Sequence, residues 1–125
     1  MGRILIVEDE VDTAKMIEKR ILSAGFKTAV VGDTYSATAF LRKEKPALVI
    51  LDLMLPGGGG MTVLKNMRAF SARKKVPVLV LTAMKDEEYI KNLETIGIKA
   101  FLRKPYDPEV LIDMIRGLVD MGEEE

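Results

Sequence analysis

The sequence predicts an α/β protein, a doubly wound five-stranded parallel sheet of order 2-1-3-4-5 flanked by five helices. Three observations predict it. Short apolar runs alternate with amphipathic stretches five times along the chain, and such a βα repeat requires a parallel sheet covered on both faces. The first, third and fourth runs are almost unbroken in apolar character, as strands buried on both sides must be. At 125 residues the chain fits one domain with a real core, and for that length the doubly wound order is the economical solution. It sets the first and third strands side by side, and ligands of such sheets bind outside the carboxyl ends of the strands at that point.

The elements follow in order. Residues 3–7, RILIV, are a β-branched-rich run too short for a helix. From about Val11 to Ala24 the apolar positions Ala14, Ile17, Ile21 and Leu22 recur at helical spacing, and Gly25 supplies the stop. KTAVV at 27–31 is the second strand, followed by a short helix from Thr34 to Lys43 that Pro46 closes off. ALVIL at 47–51 is the third strand. Glycines 57–60 then form a turn, and Met61, Val63, Leu64, Met67 and Phe70 predict a helix to about Arg73. VPVLVL at 76–81 is the fourth strand, with Pro77 near its start where proline costs least. Asp86, Glu87 and Glu88 load the first turn of a helix over about 85–96 that ends at Gly97. AFLR at 100–103 is the fifth strand. Pro108 opens a last helix to about Met121. The domain core is thus expected over about 3–121, with 122–125 as a solvated acidic tail and no room for a DNA-binding domain after Met121, the chain being either a stand-alone regulator or a receiver excised from a larger protein.

Composition narrows the chemistry. Nineteen basic side chains balance nineteen acidic ones, so no net pull toward nucleic acid or an anionic membrane is expected. The absence of Cys removes disulfides and thiolate nucleophiles, and the absence of His removes the commonest general base and zinc ligand. No apolar stretch approaches the ~20 residues needed to cross a bilayer, and the start of the chain lacks the apolar core of a signal peptide. A cytoplasmic location is the expectation.

The strand ends carry a pattern. The first strand ends in Glu8-Asp9-Glu10, the third in Asp52, the fourth in Thr82 and the fifth in Lys104. Glu8, Asp9 and Asp52 would crowd one crevice, and carboxylates that close cannot all stay ionised without a cation between them. A hard, oxygen-seeking ion such as Mg²⁺ resolves that conflict. Asp52 would then be an ionised nucleophile of the aspartyl-phosphate kind. Thr82 and Lys104 offer a hydroxyl and an ammonium to the oxygens of a transferring phosphoryl group. Taken singly, each residue has a plainer reading: a charged helix start, a turn cap, a strand-end threonine, a lysine before proline. Their joint placement at neighbouring strand ends outweighs those readings.

VEDE, ILDLMLPG, LTA and RKP, in that spacing, resemble the receiver domain of two-component response regulators, over essentially the whole chain. The resemblance implies that Asp52 accepts a phosphoryl group from a phosphohistidine on a partner histidine kinase or histidine phosphotransfer protein. It implies that Glu8 and Asp9 bind Mg²⁺ together with Asp52 and the backbone carbonyl of Met54. Lys104 would contact the phosphoryl oxygen, Thr82 would rotate inward to it, and Phe101 would be the switch aromatic that turns with the threonine. The Lys104-Pro105 bond is generally cis in the family. An output partner, or a second copy in a phosphorylation-dependent dimer, would meet the face made by the helix 85–96, the strand 100–103 and the helix 108–121. Tyr89, Lys91, Lys99 and Arg103 are candidate contacts there. Lacking His, the chain cannot be its own phosphohistidine donor.

Two departures from the family pattern carry expectations. Gly58 and Gly59 replace side chains common in that loop, one of them acidic, so residues 57–60 are expected to be the most mobile part of the site's rim. Met54 and Met84, each two residues beyond Asp52 and Thr82, are apolar and cannot orient a water, which predicts a long-lived phosphoaspartate. A flavodoxin-like cofactor binder is a rival, but its phosphate loop should follow the first strand, which here leads into acids. No Walker or GxGxxG pattern is present. A phosphatase acting on outside substrates would want a second acid where Met54 stands. A degenerate, docking-only receiver would not keep the full polar set.

Overall fold

The computed structural model describes residues 2–57, 59–70, 73 and 75–124, with backbone alone considered at 121–124. Five strands and five helices alternate: β1 (Ile4–Val7), α1 (Val11–Ser23), β2 (Thr28–Val31), α2 (Thr34–Lys43), β3 (Leu48–Leu51), α3 (Gly59–Ala69), β4 (Val78–Thr82), α4 (Glu87–Ile96), β5 (Ala100–Arg103) and α5 (Pro108–Glu124). The strands form one sheet of order β2-β1-β3-β4-β5, and each neighbouring pair is parallel. This is the predicted doubly wound order.

The side-chain period of two along each strand divides the core. Leu5, Val7, Val49, Leu51, Val78 and Val80 face one side, where Ala37 and Leu41 of α2, Val63, Leu64 and Met67 of α3 and Leu93 of α4 cover them. Ile4, Ile6, Leu48, Ile50, Leu79 and Leu81 face the other side, under Ile17 and Ile21 of α1 and Leu111, Ile115 and Leu118 of α5. Every residue of β1, β3 and β4 is buried, whereas β2 and β5 at the edges are only partly so.

Helix starts have identifiable causes. Asp33 caps α2 by accepting from the Ser36 N–H at 2.7 Å, and Asp86 caps α4 by accepting from the Tyr89 N–H at 3.1 Å. Gly25 and Gly97, the predicted stops of α1 and α4, have φ of 97° and 121°, values that favour glycine. The Lys104-Pro105 bond is cis, as the resemblance implied.

Several boundaries differ from expectation: β4 covers Val78–Thr82 rather than 76–81, α4 opens at Glu87 rather than about residue 85, and α3 and α5 depart further. α3 begins at Gly59, two residues before the expected Met61, because the Gly60 N–H finds the Leu53 carbonyl at 3.0 Å and the turn closes early. The glycine turn is therefore shorter than expected, and Gly58 lies outside the described residues. α3 ends at Ala69 rather than near Arg73; Ser71, Ala72 and Lys74 also lie outside the described residues. α5 runs to Glu124, so the expected acidic tail is helical backbone up to that residue.

Candidate active site at the carboxyl edge of the sheet

Strand register assembles the site. Val7 pairs with Leu51 across β1 and β3, so the next residues, Glu8 and Asp52, leave the sheet side by side. The Asp52 N–H donates to the Val7 carbonyl at 3.1 Å, and the Lys104 N–H donates to the Thr82 carbonyl at 2.9 Å. Those bonds continue the sheet by one residue and bring Asp52, Thr82 and Lys104 to the same edge.

Lys104 reaches across β4 to two carboxylates. Its Nζ lies 3.1 Å from Glu8 Oε1 and 3.2 Å from Asp52 Oδ2. Glu8 is buried, and Asp52 and Lys104 keep 12% and 26% of their side chains exposed, so screening by water is weak. Burial pushes the Glu8 carboxyl above the ordinary carboxylate range, against the hydrogen bond from Lys104, and the charge on Asp52 adds to the rise. Burial alone would lower the Lys104 ammonium, but the hydrogen bonds and charges of Glu8 and Asp52 outweigh it and hold the group above its usual value.

The carboxylates of Glu8, Asp9 and Asp52 each place an oxygen within 4.8 Å of the others. An all-oxygen, three-carboxylate set on a rim that includes the exposed Asp9 suits a hard divalent cation that keeps some of its water. Asp52 Oδ1 accepts from the Met54 N–H at 3.0 Å, which folds the chain after β3 back over the carboxylate. The Met54 side chain is exposed.

Thr82 is fully buried, and its hydroxyl oxygen accepts from the Met84 N–H at 3.0 Å. Phe101 is half-buried against the α2–α3–α4 side of the core. Of the residues expected on the outer face, Lys91 and Lys99 are exposed, while Tyr89 packs against the core.

Arg103 has a role that the sequence reading did not find. Its guanidinium donates to the Met84 carbonyl at 2.6 Å and to Glu87 Oε1 at 2.8 Å, and it lies 5.6 Å from the Phe101 ring centroid. It thereby ties β5 to the loop before α4 and to the aromatic expected to switch. Its place just before Lys104 was the available signal, but strand alternation cannot say which carbonyl a long side chain reaches.

The profile of the response regulator receiver domain matches residues 4–116. The chain belongs to that family. This receiver domain is 37% identical over 124 residues to the DNA-binding response regulator MtrA of Mycolicibacterium paratuberculosis, covering 98% of this chain and 53% of the relative. It is 36% identical over 118 residues to the phosphate regulon transcriptional regulatory protein PhoB of Escherichia coli, covering 94% of this chain and 51% of the relative. The high-resolution structure of the chemotaxis response regulator CheY4 of Vibrio cholerae superposes with a TM-score of 0.87 at 26% identity, covering 94% of this chain and 98% of that one. The receiver thus spans about half the length of the curated relatives it matches. Among the described residues, no helix is long and apolar enough to cross a membrane.

Proposed function

We propose that this receiver takes a phosphoryl group on Asp52 from a phosphohistidine of a partner histidine kinase or histidine phosphotransfer protein. A carboxylate oxygen of Asp52 attacks phosphorus, the P–N bond breaks, and the electron pair leaves with the imidazole nitrogen. Glu8, Asp9, Asp52 and the Met54 carbonyl would hold Mg²⁺, which when bound offsets the charge of the carboxylates and the incoming phosphoryl oxygens. Lys104, already 3.2 Å from Asp52, supplies a positive donor to a phosphoryl oxygen in the same place. The Thr82 hydroxyl exchanges its bond from the Met84 N–H for a phosphoryl oxygen, and Phe101 follows inward. The population then shifts toward a state with an altered α4–β5–α5 face, where an output partner or a second copy binds.

The observation that carries this reading is the bridge from Lys104 to Glu8 and Asp52 within a three-carboxylate cluster. A lysine held between carboxylates beside a hard-cation donor set is suited to anionic phosphoryl transfer. The reading includes slow self-hydrolysis of the phosphoaspartate, a cytoplasmic location, and no direct nucleic-acid contact by a segment whose charges balance. Incubation with Mg²⁺ and acetyl phosphate, followed by intact mass, tests it. A gain of one phosphoryl group that is lost in Asp52→Asn and on removal of Mg²⁺ is the expected result. No gain with the wild-type protein would overturn it.

A further inference from the structure

The loop between β3 and α3 carries Met54, yet Pro56, Gly57, Gly59 and Gly60 offer it no polar side chain with which to fasten itself. Part of its fastening comes from another element. Thr34, the first residue of α2, is buried. Its hydroxyl donates to the Pro56 carbonyl at 3.0 Å and lies 3.5 Å from the Gly59 carbonyl. Its backbone N–H points to the same Pro56 carbonyl at 3.4 Å, as the first N–H groups of a helix are free to do. The Asp33 cap holds Thr34 in place from the preceding position. Gly57 has a φ of 85°, which favours glycine, and a Cβ on it would make ordinary contact with the Thr34 Cβ at 3.4 Å. The near end of the loop is held separately, by the Met54 N–H on Asp52 and by the buried Leu53 and Leu55.

We propose that Thr34 is a positioning residue for the site, clamping the Pro56 carbonyl and so fixing the peptide of Met54 between two anchored ends. The inference rests on the reading of Met54 as a backbone ligand for Mg²⁺. Anchoring from α2 adds to the loop's own closure, the Gly60 N–H on the Leu53 carbonyl.

Thr34→Val keeps the shape and removes the hydroxyl, while Thr34→Ser keeps the hydroxyl. Calorimetric titration with Mg²⁺ alone and amide exchange at Gly59 and Gly60 are read on wild type and both variants, with circular dichroism to check folding. Thr34→Val is expected to bind Mg²⁺ roughly two- to tenfold more weakly, the loss of one net hydrogen bond, and to exchange faster at both glycines. Thr34→Ser should stay near wild type. Unchanged Mg²⁺ affinity in Thr34→Val overturns the inference, whether or not exchange quickens, and so does a serine variant as weak as the valine one. A wild-type protein that takes up no Mg²⁺ defeats the site reading itself, and is told apart because the unaltered chain is the one that fails.

Discussion

Lys104 holds the site's charge together, and its removal separates two roles. In Lys104→Met the ammonium no longer competes for the oxygens of Glu8 and Asp52, so Mg²⁺ should bind more tightly. Phosphoryl transfer from acetyl phosphate should fall by about 100-fold or more, the usual loss of a charged donor in a transition state. Weaker Mg²⁺ binding in the variant would contradict this assignment. The pH dependence has a definite sign. Because the folded state raises the Lys104 value above 10.5, its contribution to stability is complete below that pH and is lost as pH rises through the folded value. Denaturation curves between about pH 9 and pH 12 should therefore show a steeper loss for wild type than for Lys104→Met. The identity of this lysine was legible from its place after the fifth apolar run. Its double contact was not, because Glu8 lies 96 residues away in sequence.

In the proposed reading, the loops after β3 and β4 set how long a phosphoryl group survives. Met54 is exposed and Met84 half-buried, and neither can hold a water for attack on phosphorus. Substituting Asn or Glu at Met54 or at Met84 should speed hydrolysis on the order of tenfold, below the 100-fold or more of a full general base. Decay of the phosphorylated mass after removal of phosphodonor checks it, and an unchanged half-life would refute it. These loops also show where periodicity stops being informative. α1 was readable from its apolar spacing and Gly25, α2 from the stop at Pro46, and α4 from its acidic first turn and Gly97, all of them local signals. α3 opens earlier than its apolar positions suggest, because its first turn is made by glycines that carry no hydropathy signal. Gly60 is constrained by contact: a Cβ there would lie 2.9 Å from both the Asp52 carbonyl oxygen and the Leu53 Cα. At that position glycine answers a close approach of chain to chain, whereas the sequence alone suggested only freedom.

Both faces of the sheet are filled by the helices packed on them. Leu79, the second residue of β4, is fully buried against α1 and α5. Leu79→Ala should cost about 2–5 kcal/mol of unfolding free energy by denaturant titration. A loss below about 1 kcal/mol would mean that the α1–α5 face is not packed as described. The strand order, the two-sided core and the residue types at the strand ends could all be read along the chain. Apolar runs and their spacing encode which face of an element seeks burial, and the short-range chemistry of caps and stops marks where elements end. Which atoms meet came from the folded arrangement: Lys104 on Glu8 and Asp52, Arg103 on Met84 and Glu87, Thr34 on Pro56. Each contact joins side chains from elements far apart in sequence, and their meeting depends on strand register and on how a long or buried side chain settles. Local periodicity carries neither quantity.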